Sequence, residues 1–179
     1  MSSAARTPSA SQAFAERIDR LNETIGRGAA WLCLFVVVVQ FAVVVLRYVF
    51  GLGSVRLSES IIYAHAGLFM LASAWTLSTG GHVRVDVFYA GTSPRTKATI
   101  DLCGSLFLLL PFMAVLARFA VPYVSRSWAI LESSRETSGL PAVFLLKTLI
   151  PVFALLMALQ GVSQAIKAMA VLRGPDAPR

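Results

Sequence analysis

Apolar residues in this chain fall in long uninterrupted blocks. The four main ones cover residues 29–50, 58–78, 102–122 and 146–168. Crossing a bilayer core of roughly 30 Å takes about 20 apolar residues in a helix, and each block is that long. The pattern predicts an all-α integral membrane protein with four transmembrane helices. Before the first block, Phe14, Ile18, Leu21 and Ile25 recur at helical spacing, with Glu16, Arg17, Asp19, Arg20 and Glu23 between them. That spacing predicts an N-terminal amphipathic helix of about three turns, lying along the membrane surface or running straight into the first span. Residues 1–12 are Ser- and Ala-rich and are expected to be disordered. The membrane domain is expected over 13–172, followed by a polar tail over 173–179.

Local signals refine the elements. Ser54 or Ser58 can cap the second span, with Glu59 near its start, where the helix dipole favours an anion. Ser93-Pro94 is a specific helix start, Ser as cap and Pro at the first helical position. Pro111 predicts a kink in the third span, and Trp128 to Leu131 a short helical turn at the interface. Gly139-Leu140-Pro141 launches the fourth span, which is bounded by Lys147 and Lys167. Gln40 falls at mid-span, where an amide is expected to bond to a neighbouring helix. The first apolar block is longer than a signal-peptide core and lacks a cleavage site after it, so this span is expected to stay in the mature protein.

Composition agrees with the pattern. Of 179 residues, 56% are hydrophobic and 14% charged, against about 25% charged in soluble domains. The formal charge of +7 raises the possibility of nucleic acid. The basic residues flank spans rather than forming one patch, so no nucleic-acid partner is expected. They also orient the chain. Ten lie on the side of the two termini and the second-to-third loop, against five (Arg47, Arg56, Arg126, Arg135, Lys147) on the other, with Arg118 close to that second end of the third span. The positive-inside rule then puts both termini in the cytoplasm. Cys33 and Cys103 have no metal-type spacing and are expected to be buried packing residues.

Candidate chemistry is sparse. The two histidines, His65 and His82, both belong to the second span or its end, too far apart to clamp one haem iron. His65 is therefore expected to be a core residue. Arg47, Arg118 and Lys147 sit where long side chains can snorkel to the interface. Asp101 is expected to pair with Arg84, Arg95 or Lys97, with Arg84 preferred, and Glu59 with Arg47 or Arg56. The chain has no carboxylate pair, nucleophile-plus-base set, phosphate loop or metal cluster in its sequence, so no enzyme activity and no cofactor are expected. One segment stands out: Gly81-His82-Val83-Arg84-Val85-Asp86-Val87 alternates polar and apolar residues. Alternating valines need a surface to cover, and an extended edge needs hydrogen-bond partners, so packing against the bundle or another subunit is expected.

These residues resemble a known family. Arg47-Tyr48-Val49-Phe50-Gly51, Ser58-Glu59, the His82–Val87 string and Ser93-Pro94 are similar to the Q-type small membrane subunit of tripartite ATP-independent periplasmic (TRAP) transporters. The resemblance covers about residues 15–172. It implies a multi-pass subunit of the bacterial inner membrane that braces a large membrane subunit. The large subunit would carry substrate and sodium, and a periplasmic binding protein would deliver an organic acid. It further implies that His82, Arg84 and Asp86 are structural or interface residues, a class in which Asp101, Arg47 and Glu59 are also expected from their places near span ends. Arg126, Glu132, Arg135 and Glu136 would form a periplasmic docking loop. The competing readings are a cytochrome-b-like anchor of a redox enzyme and a small stand-alone transporter.

Overall fold

A computed structural model describes residues 9–82 and 91–174, in which all regular structure is helical. Helix α1 covers Ala10–Val49, one continuous rod of 40 residues, about 60 Å long at 1.5 Å per residue. Its start is a capping box. The Ser9 side chain accepts from the Gln12 backbone, and the Gln12 side chain accepts from the Ser9 N–H at 2.9 Å. The helix therefore begins inside the stretch that composition marks for disorder, and it passes into the first span without a break.

Helix α2 covers Val55–Ser78 and is capped by Ser54, whose Oγ accepts from the Leu57 N–H at 3.4 Å. The third span is composite. It opens as α3, Pro94–Cys103, on the Ser93-Pro94 signal, with the Thr96 N–H donating to Ser93 Oγ at 3.2 Å. A π-helical turn, Gly104–Leu109, follows, and α4 completes the span over Leu110–Ala129. Pro111 has no N–H to donate, and its ring crowds the carbonyl four residues back. The widened turn directly ahead of it relieves that conflict, so the expected kink takes the form of a π segment. Helix α4 ends with Leu131 at φ 45° and the Glu132 N–H reaching back to the Ser127 carbonyl at 3.0 Å. This is the left-handed helix stop that usually employs glycine. Helix α5 covers Val143–Arg173.

Helices α1, α2 and α5 pack against one another, and the third span packs on α5. The core is small: Ala74, Met113, Ala154, Leu156 and Met157 are its buried centre. Small residues set the close approaches, as expected where lipid supplies no hydrophobic drive between helices. Gly26 of α1 lies against Trp75 of α2, where an added Cβ would stand 2.6 Å from the Trp75 Cβ.

Burial along α1 has a pattern that helical spacing alone does not give, and one expectation about burial fails. The buried stripe of the N-terminal half of α1 is Ala15, Ile18, Asn22, Gly26 and Ala29, whereas Phe14 and Leu21 are exposed. Close packing against α2 and α5 selects small and hydrogen-bonding residues there, and the larger apolar side chains stay on the outer side of the helix. Cys33 and Cys103, expected to be buried, are exposed. In a thin bundle most of each span faces outward, so an apolar neighbourhood in sequence does not mean an interior position.

Candidate functional site

Polar chemistry gathers at the two ends of the bundle. At the end holding Ala10 and Arg173, α1 and α5 share a buried network. Asn22 Nδ2 donates to Gln160 Oε1 at 2.7 Å, and Gln160 Nε2 donates to Asp19 Oδ1 at 3.0 Å. Ser163 Oγ reaches the same Asp19 oxygen at 2.7 Å, and Lys167 forms an ion pair with Oδ2. Asn22, Gln160 and Ser163 are fully buried. Gln164 Nε2 adds a bond to the Leu77 carbonyl at 3.2 Å, which ties in the end of α2. None of this was read from the sequence. The available signal was Gln160, Ser163, Gln164 and Lys167, spaced to line one face of an otherwise apolar helix.

His82 is exposed in the bend after α2, and Asp101 is half-buried in α3. Arg84 and Asp86 lie outside the described residues, and the Asp101–Arg84 pairing with them. Arg95 of α3 reaches the Leu172 carbonyl of α5 at 3.3 Å, joining the third span to the end of the fourth.

At the opposite end the segment between α4 and α5 is clamped onto α2. Glu59 accepts from Ser134 Oγ and from the Leu140 N–H, while Arg56 Nε donates to the Ser138 carbonyl at 3.2 Å. Glu59 thus turns to the loop and not to Arg47 or Arg56. Ser54 is the cap, so Glu59 sits one turn into the helix, where the returning loop offers it a hydroxyl and a backbone amide. Gly139 belongs to this clamp, since a Cβ there would stand 2.8 Å from Glu59 Oε1. Arg47, Glu59 and Glu136 line one cavity of about 640 Å³ beside the turn between α1 and α2.

A second clasp joins α4 to α5. Glu132 accepts from Ser127 Oγ and pairs with Lys147, whose ammonium lies 4.3 Å from the centre of the Tyr123 ring. The Lys147 hydrogen bond, with the Ser127 bond behind it, holds the Glu132 carboxyl below its ordinary pKa. Trp128 Nε1 donates to Thr148 at 2.9 Å, and the Trp128 ring meets Phe144 edge-on. Of the four loop residues singled out from sequence, Glu132 is committed to this internal clasp. Arg126 lies in the last turn of α4 rather than in the loop, because the helix runs on to Ala129, and it, Arg135 and Glu136 are exposed.

Within the spans, two further expectations fail. His65 is exposed on α2 with its ring 4.6 Å from Phe69, so it is not a core residue. Gln40 is exposed on α1, and among the described residues it has no hydrogen-bond partner. Periodicity identifies a helix but not which of its faces the neighbours cover. Here α1 and α5 cover the other sides of α2. Among the described residues no group of three or more His, Cys, Asp or Glu side chains is arranged to hold a metal ion.

Comparison with known families adds one match. The model described as "Tripartite ATP-independent periplasmic transporters, DctQ component" covers residues 29–171, which takes in all four spans. Comparison with curated proteins and with solved structures produced no match.

Proposed function

We propose a function from one premise: this chain belongs to the DctQ component family of tripartite ATP-independent periplasmic transporters, as a small membrane subunit with four apolar membrane-crossing helices. That family is one of transporter components and not of enzymes. On this reading the chain lies in the inner membrane of a bacterium with both termini in the cytoplasm. It braces a large membrane subunit during sodium-coupled uptake of an organic acid delivered by a periplasmic binding protein.

The match across all four spans carries the reading. The excess of Lys and Arg on the side of the termini supports the orientation. The way the chain spends its polar groups supports the bracing role. The buried network at one end ties α1 to α5, and the Glu59 and Glu132 clasps at the other fix the loop and the last two helices. Those are fastenings, suited to holding a rigid shape. Arg126, Arg135 and Glu136, left exposed beside them, are the groups we assign to docking of the binding protein. His82, Arg84, Asp86 and Asp101, on the cytoplasmic side, are assigned to assembly.

A tagged copy of the chain, co-expressed with the large subunit, tests this by affinity capture. The large subunit is expected to come down with the wild-type chain. Arg84→Ala and Asp86→Ala are expected to lower its recovery several-fold while membrane insertion stays intact. Recovery at the wild-type level with both variants would return the segment to an ordinary connecting loop.

A further inference from the structure

Gln40, His65 and Arg118 stand exposed within the spans. Arg118 needs no protein partner. It lies five residues before Tyr123, about 7 Å along the helix, and a long guanidinium stem covers that distance to the interface. Gln40 and His65 have no such escape. Gln40 is about 13 Å from the end of α1 at Val49, and His65 is about 15 Å from the start of α2 and about 20 Å from its end. Neither side chain reaches water from there. Among the described residues neither has a hydrogen-bond partner. Acyl chains offer none, and an unmet polar group in hydrocarbon is costly.

The two residues also share a face. The cavity at the loop end is lined jointly by Val43 and Arg47 of α1 and by Ser58 and Ile62 of α2, so these positions border one surface. Gln40 precedes Arg47 by seven residues and His65 follows Ser58 by seven, which keeps each on that side of its helix. Helices α1 and α2 run antiparallel, so both residues lie near mid-depth. Gln40 and Arg47, extended by exposed Cys33, form a heptad-spaced row on α1. Heptad spacing is the register that a neighbouring helix crossing at a shallow angle can follow.

We infer that this Gln40–His65 face of α1 and α2 is covered by a transmembrane helix of the large subunit, one that presents a hydrogen-bonding side chain at mid-membrane. The inference rests on the reading of the chain as a transporter subunit and adds which face is buried and by what chemistry. Amides and imidazoles bond across helices in this way in membranes, and each bond contributes modestly. Arg118 on α4, by contrast, is long enough to reach the interface without a protein partner.

The test uses the tagged full-length chain, co-expressed with the large subunit, carrying a photo-crosslinking amino acid at position 40 or 65. A copy with the label at Leu108, exposed in the third span, sets the background. Irradiation is expected to give an adduct between this chain and the large subunit from positions 40 and 65. In parallel, Gln40→Leu and His65→Leu are expected each to lower recovery of the large subunit by about threefold. The level of the chain in the membrane is expected to hold, because leucine inserts more readily than either residue. Adducts at 40 and 65 no stronger than at Leu108, with the large subunit still captured, would overturn the inference and leave the subunit reading standing. An adduct to a second copy of this chain would overturn it in favour of a homo-oligomer. Failure to capture the large subunit with any version would remove the subunit reading itself.

Discussion

Glu59 shows how a single carboxylate can organise a loop. Its two oxygens take one hydroxyl and one backbone N–H from a segment more than 70 residues away in sequence, and Arg56 holds the same segment by the Ser138 carbonyl. Glu59→Ala leaves the Leu140 amide and the Ser134 hydroxyl without their acceptor. The expected result is a loop that exchanges its amide hydrogens faster and is cut sooner by protease, with the four spans unchanged. Equal exchange rates in wild type and variant would show that the clamp does not hold the loop. Glu132 adds a pH dependence. Its folded-state pKa lies below its unfolded value, so its contribution is fully present above the ordinary carboxylate range. That contribution is lost as pH falls through the lower folded-state value. Acidification is therefore expected to loosen the α4–α5 clasp only below the ordinary carboxylate range. A titration of Trp128 fluorescence checks it, because Trp128 bonds across the same junction. A transition near neutral pH would contradict this assignment.

At the scale of elements, α1 and α2 depend on closeness. The approach at Gly26 brings the backbone of one helix against the stem of Trp75, which cannot swing aside. Gly26→Leu is expected to push the pair apart and destabilise the bundle by about 1–3 kcal/mol. A lowered melting temperature in detergent, with helical content retained, is the measurement. An unchanged melting temperature would mean the helices do not meet there. The elements themselves were legible. Four apolar blocks became four spans, and Ser93-Pro94 started the third helix as its chemistry requires. The pairings were not. Asp19, Asn22, Gln160 and Lys167 meet across more than 130 residues of chain, and no local spacing records that α1 extends far enough to lie beside the end of α5. His65 and Gln40 were misplaced for a related reason. A residue within a span has a depth that sequence gives and a facing that only its neighbours give.

On the whole-molecule scale, the chain is a thin bundle fastened at both ends. Lateral faces of α1 and the third span carry exposed Phe41, Val37, Phe107 and Phe112. Such a molecule is held at both ends while broad apolar sides stay uncovered by the bundle itself. The two fastenings support the proposed bracing role. The most direct test is sodium-driven uptake in liposomes containing this chain, the large subunit and the binding protein. The substrate would be the organic acid released from the purified binding protein on denaturation. Uptake is expected with all three components and is expected to be lost when this chain is omitted or present alone. Undiminished uptake without this chain, or uptake by this chain alone, would contradict the account.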